Sequence, residues 1–228
     1  MKYRPKIQNM SVQGFTIDRR FVVTGGAIFL SLFLFVFFPG TDRLPIGTQS
    51  IIAFSIFFLL FPILYVKYIF GEGWGVLGFR MEQVFSGWVG VILAVVSGFA
   101  IFFLGYSMWP AIHEAYRLPF AIERSFLSFV QYELFLFLIL FFFEVFFRGF
   151  VMLVFLRRFG SLAILFQWGI FIIFLLASQS LGMDQFAMIL FAPLAGWVAY
   201  RSQSVWFSFF ASALFFIAMD VFLLLANR

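Results

Sequence analysis

Long apolar runs alternate with short polar breaks along the whole chain. Seven apolar segments, at about residues 21–38, 49–70, 84–109, 126–156, 161–178, 184–200 and 204–225, are separated by "PGTDRLPIG", "GEGWGVLGFRMEQ", "PAIHEAYRLPFAIER", "RRFGS", "QSLGMDQ" and "RSQS". Several runs exceed the roughly 18 residues that a helix needs to cross a bilayer, and the breaks hold the Gly, Pro and polar residues that end helices. The pattern predicts an all-α polytopic bundle of about seven transmembrane helices, built as one domain over 21–228. An amphipathic stretch at 1–20 is expected along the membrane surface, held there by its Lys and Arg. No short repeat and no soluble domain interrupts the series. The fourth run is the odd one: 31 residues of helix would span about 46 Å, longer than the hydrocarbon core. It must tilt, bend or protrude, and Gly149 is a candidate for the bend.

Composition agrees with this reading. Of the 228 residues, 64% are hydrophobic and 11% charged, too little polar surface to cover a soluble domain of that apolarity. A net charge of +5 would suit nucleic acid, but its placement argues for a membrane. With the amino terminus inside, Lys2, Arg4, Lys6, Arg19, Arg20, Lys67, Arg80, Arg157, Arg158 and Arg201 fall on the cytoplasmic side, against Arg43, Arg117, Arg124 and Arg228 outside. That asymmetry follows the positive-inside rule. The first run begins at residue 21 and is followed by "PGTDRLP", which is no small-residue cleavage site, so it is expected to be a retained helix. The 41 phenylalanines are either lipid-facing filler or a surface for partner subunits or hydrophobic cofactors.

Four ionisable groups fall inside the runs: Glu133, Glu144, Arg148 and Asp220. Each costs about 2.5–3.5 kcal/mol at the membrane centre on insertion scales, so such groups face the bundle interior and find partners. Glu144 and Arg148 are one helical turn apart, acid first, the better order for an ion pair. Glu133 precedes Glu144 by about three turns and shares its face. Asp220 lies near the outer end of the last run, level with Glu133, so those two could face one another. Such an ion pair could simply neutralise itself and fix helix packing, or it could hold a catalytic carboxylate.

Further motifs bear on that choice. "EVFFRGF", 144–150, resembles the second half of the E-E-x-x-x-R-G signature of the CPBP family, which comprises type II CAAX prenyl endopeptidases and related bacterial proteins. "YIFGEGWGVLGFR", 68–80, looks like that family's cytoplasmic loop, and "FLLAS", 174–178, stands in place of its F-x-x-x-H. "LAGWVAYRSQSVWFSFFASALFF", 194–216, is similar to its lead into a final H-x-x-x-N helix. The likeness covers about residues 65–218 and implies a location in the prokaryotic cytoplasmic membrane.

The resemblance also implies chemistry: paired glutamates, two histidines and an asparagine that activate water and stabilise the oxyanion. Carried over by position, Glu144 is the second glutamate and Arg148 the motif arginine. Phe143 stands at the first glutamate, Ser178 and Ser212 at the histidines, and Phe216 at the asparagine. Four of the five residues expected to act on substrate are therefore replaced. The only histidine, His113, falls in a loop on the outer side, whereas the family's reaction centre opens towards the cytoplasm. With one His and no Cys the chain lacks the ligands zinc prefers, so no metal and no cofactor is expected. Ser178 and Ser212 have no adjacent base to activate them. The resulting expectation is a CPBP-like membrane protein that has lost protease activity and serves as a scaffold, assembly or regulatory subunit. Its partners would be the bilayer and other membrane subunits, not nucleic acid. Two alternatives stand beside it: an active glutamate-dependent endopeptidase, and a small transporter or channel using Glu133, Glu144 and Asp220 as a proton or cation path.

Overall fold

The computed structural model describes residues 19–40, 45–116 and 125–226. Residues 1–18, expected along the membrane surface, and Arg43, Arg117, Arg124 and Arg228, expected on the outer side, lie outside the described residues. Every described apolar run folds into helix: α1 (Arg19–Val36), α2 (Gly47–Phe70), α3 (Val84–Met108), the short α4 (Pro110–Ala115), α5 (Phe126–Phe155), α6 (Leu162–Ala177), α7 (Phe186–Ser202) and α8 (Val205–Ala226). Six are long and apolar enough to cross a membrane, α7 being lengthened by a tight turn at Met183–Gln185. The remaining long helix, α6, has 16 residues. Its length of about 24 Å falls short of a hydrocarbon core of about 30 Å. The molecule is thus an all-α integral membrane bundle that contacts lipid.

The central helix is α5. In its membrane window 61% of the residues are buried, against 17% for α1, and every residue from Glu144 to Leu153 is buried. A helix apolar and covered on all sides is the core of its bundle. On one flank α3, α7 and α8 pack closely because glycines let large rings through. A Cβ on Gly87 would fall 2.6 Å from the Phe207 ring, and one on Gly98 would fall 2.7 Å from the Phe191 ring. Without water to drive apolar association, such small-residue contacts are what bind helices in lipid. On the other flank, Ser31 of α1 donates to the Phe57 carbonyl of α2 at 2.8 Å.

Phenylalanine stands both on the outer face of the bundle and in its core. Phe29, Phe33, Phe85 and Phe126 face outward, but Phe58, Phe146, Phe147, Phe150 and Phe171 are among the largest fully buried side chains. Phe58 stacks on Phe146 with ring centroids 4.5 Å apart, and Phe147 meets Phe171 edge-on at 5.2 Å. Ring pairs of this kind add about 0.5–1.5 kcal/mol each beyond their burial.

The fourth run forms one helix of 30 residues whose second half is not regular α-helix. From Glu144 onward α5 leaves the α pattern for wider turns, as in the Leu156 amide bonding to the Val151 carbonyl five residues back. Gly149 lies inside this wide-turn stretch and also makes a close contact. A Cβ there would lie 2.8 Å from the Leu77 carbonyl oxygen, so Gly149 is the place where the α2–α3 loop rests on α5. That loop is also pinned to the α7–α8 turn. The Val205 amide donates to the Gly78 carbonyl at 3.0 Å, and Arg80 Nε donates to the Gln203 carbonyl at 3.3 Å. Gly78 itself has φ +85°, a left-handed conformation that glycine adopts without strain. Two of the stretches quoted above, 68–80 and 194–216, therefore meet at one end of the bundle.

Candidate functional site

The α5 and α8 helices run antiparallel, and their polar residues pair across the contact at two levels. At the deeper level Ser212 donates to Glu144 Oε1 at 2.8 Å. The other carboxylate oxygen, Oε2, faces Arg148 Nε at 3.5 Å, a charge contact longer than a good hydrogen bond. The guanidinium uses Nη2 to reach the Ala192 carbonyl of α7 at 3.3 Å. Glu144 is 1% exposed and Arg148 5% exposed. The wide turns begin at the acid itself, and such departures within a helix recur at functional sites.

Room for chemistry around Glu144 is small. The void it lines with Arg148, Ser212, Phe143, Phe171 and Phe216 measures about 10 Å³, no more than a single water needs. Phe143 and Phe216 are both buried walls of this void. Phe143 stacks on Phe147 at 5.7 Å and meets Phe171 edge-on at 6.0 Å, so its ring is held rather than hinged. Ser178, at the end of α6, bonds back to the Leu175 carbonyl of its own helix. It lines a separate groove of about 350 Å³, which Phe143 and Phe216 also line and Glu144 does not. The structure therefore gathers Phe143, Glu144, Arg148, Ser212 and Phe216 about one point, and leaves Ser178 beside it.

His113 stands apart, exposed on α4 with its ring 4.8 Å from that of Tyr106, and it does not line the Glu144 void. Among the described residues no three His, Asp or Glu side chains come together in the way a metal ion requires. At the second level Glu133 and Asp220 lie within hydrogen-bonding reach of one another. They form a site distinct from Glu144, so the three acids do not make one continuous chain of contacts.

Several polar residues were not singled out by sequence reasoning. Gln167 on α6 is fully buried, with both amide atoms unpartnered among the described residues. Its one sequence signal is that it is the sole amide in "LAILFQWGIFIIFLLA". Tyr116, outside the spans, accepts a 2.7 Å hydrogen bond from the Ala187 amide at the start of α7. Burial pushes its phenol well above the usual tyrosine range. Comparison with known protein families, with curated proteins and with solved structures finds no match to this chain.

Proposed function

We propose that the chain is a CPBP-like membrane protein without protease activity, acting as a scaffold, assembly or regulatory subunit of a membrane complex. The observation that carries this reading is the capped carboxylate. Glu144 is held between Ser212 and Arg148 behind two phenylalanine walls, with space for one water and none for a peptide. A general base needs both a proton path and a substrate within reach, and neither fits here. The convergence of the motif positions on one point supports the resemblance in the absence of the groups that would act on a substrate. The outward-facing apolar side chains of α1, such as Phe29, Leu30 and Phe33, offer a face to lipid or to neighbouring subunits.

The reading places the amino terminus on the cytoplasmic side of a prokaryotic inner membrane. Arg20, Arg157 and Arg158 line a single groove, and Arg80 is tied to the turn beyond Arg201, so these basic residues gather at one end. Because the chain has no Cys, single cysteines at positions 72 and 114 report sidedness cleanly. An impermeant thiol reagent applied to intact cells should label the second and spare the first.

Two measurements test the function. Affinity purification from native membrane should yield a stoichiometric partner by mass. Purified protein should leave transmembrane and prenylated peptides intact. Cleavage of a defined peptide that disappears in Glu144→Gln would overturn the proposal.

A further inference from the structure

Glu133 and Asp220 present a problem the capped Glu144 does not. Glu133 is 6% and Asp220 1% exposed, and Glu133 Oε1 and Oε2 and Asp220 Oδ2 have no hydrogen-bond donor among the described residues. Two carboxylates are both acceptors, so their proximity satisfies neither. With like charges this close, either a proton is shared between them or a cation is brought to them. No described Lys or Arg performs that task, since Arg148 is engaged with Glu144 and Ala192.

A cavity of about 250 Å³ opens in front of Asp220. Its walls include Tyr132 and Leu136 of α5, Phe216 and Met219 of α8, and Tyr116 beyond α4. Tyr116 is held by its bond to the Ala187 amide. At the mouth stands Asp184, exposed, accepting from the Gln185 amide at 2.7 Å. The lining thus holds two acids, Asp184 and Asp220, among aromatic and aliphatic side chains. Its volume lies just under the roughly 300–1,000 Å³ of drug-sized ligand sites, which sets the occupant's size. Coordination of a metal ion is not what the arrangement offers, because no three acidic or imidazole groups converge among the described residues. A monovalent cation with an apolar body fits every wall: charge for the acids and hydrocarbon for the rings, which also attract cations by their faces.

We propose that this cavity binds a small organic ammonium ion, its nitrogen on Asp220 with Glu133 adding charge from behind, and its hydrocarbon part among Tyr132, Leu136 and Phe216. Entry is from the end of the bundle formed by α4 and the Met183–Gln185 turn. The site shares no acid with Glu144 and does not rest on the loss of protease activity.

The test is calorimetric titration of the full chain, in nanodiscs of zwitterionic lipid, with benzylammonium chloride. Benzyl alcohol serves as the neutral compound of the same shape. Benzylammonium should bind saturably, and the alcohol at least ten-fold more weakly. Asp220→Asn and Glu133→Gln should each weaken the ammonium at least ten-fold, while Glu82→Gln, outside the cavity, should not. Leu136→Trp, which fills the cavity and leaves both acids in place, should abolish binding and keeps the test open if an acid variant fails to fold. Absence of saturation by the native chain would overturn the proposal. So would equal affinity for the alcohol, or unchanged affinity in Leu136→Trp and both acid variants.

Discussion

Removing Arg148 while keeping its shape, as Arg148→Met, is the perturbation that best separates an architectural ion pair from a catalytic one. At 3.5 Å, Coulomb attraction amounts to about 5 kcal/mol for an effective dielectric constant of about 20. Burying the two ions costs several kcal/mol each, so the pair as a whole sits near balance. Loss of the arginine alone leaves Glu144 charged and buried with only the Ser212 hydroxyl beside it. That state costs about 3–5 kcal/mol. For a chain of this size each kcal/mol moves the unfolding midpoint by about 2–4 °C, so a drop of about 6–20 °C is expected. Replacing both residues, as Glu144→Leu with Arg148→Met, should recover most of the loss, because an apolar pair of similar volume has nothing to desolvate. The assay is intrinsic-fluorescence melting in a fixed detergent, read as a double-mutant cycle. If Arg148→Met melts with the native chain, the ion pair is not structural and the reasoning fails. If the double variant melts as low as the single one, the arginine acts through something other than Glu144.

Three further outcomes are expected. Gly149→Ala should destabilise by about 1–3 kcal/mol, since the new methyl meets the Leu77 carbonyl; Gly169→Ala in α6, with open space around it, should instead gain up to about 1 kcal/mol, and the two melts run side by side check both signs. Gln167→Met should raise stability by about 1–3 kcal/mol, because it removes two buried polar atoms that bond to nothing described; a lowered melting point would mean that the amide has a partner. Phe143→Ala should cost about 3–5 kcal/mol and enlarge the void at Glu144, and xenon uptake in crystals measures that space directly.

The bundle was legible in the sequence because a bilayer imposes a single length and polarity on whatever crosses it. The polar face of α5 was legible for a similar reason: three turns separate Glu133 from Glu144 and one separates Glu144 from Arg148, so helical geometry alone aligns them. Facing Asp220 with Glu133 needed only their similar depth. What stayed hidden depends on differences that a run of Phe and Leu does not encode. Around Phe141, Phe142 and Phe143 each direction is equally apolar, so no periodicity marks which ring fills the core and which meets lipid. The same uniformity gives no sign that wide turns begin at Glu144. Gly149 suggested flexibility when read along its helix, and its role came from a loop more than seventy positions earlier in the chain.

The tether between Arg80 and the Gln203 carbonyl joins residues 123 positions apart. During synthesis, then, α1 to α3 enter the bilayer long before the anchor that orders the loop between α2 and α3 exists. Until α7 turns into α8, that loop has only its own turn, closed by the Gly78 amide on the Gly75 carbonyl, and its seat on α5 at Gly149. Closure of the bundle is therefore a late event in biogenesis, and a ribosome stalled before residue 203 would leave a membrane intermediate open to insertases and quality-control proteases at that loop.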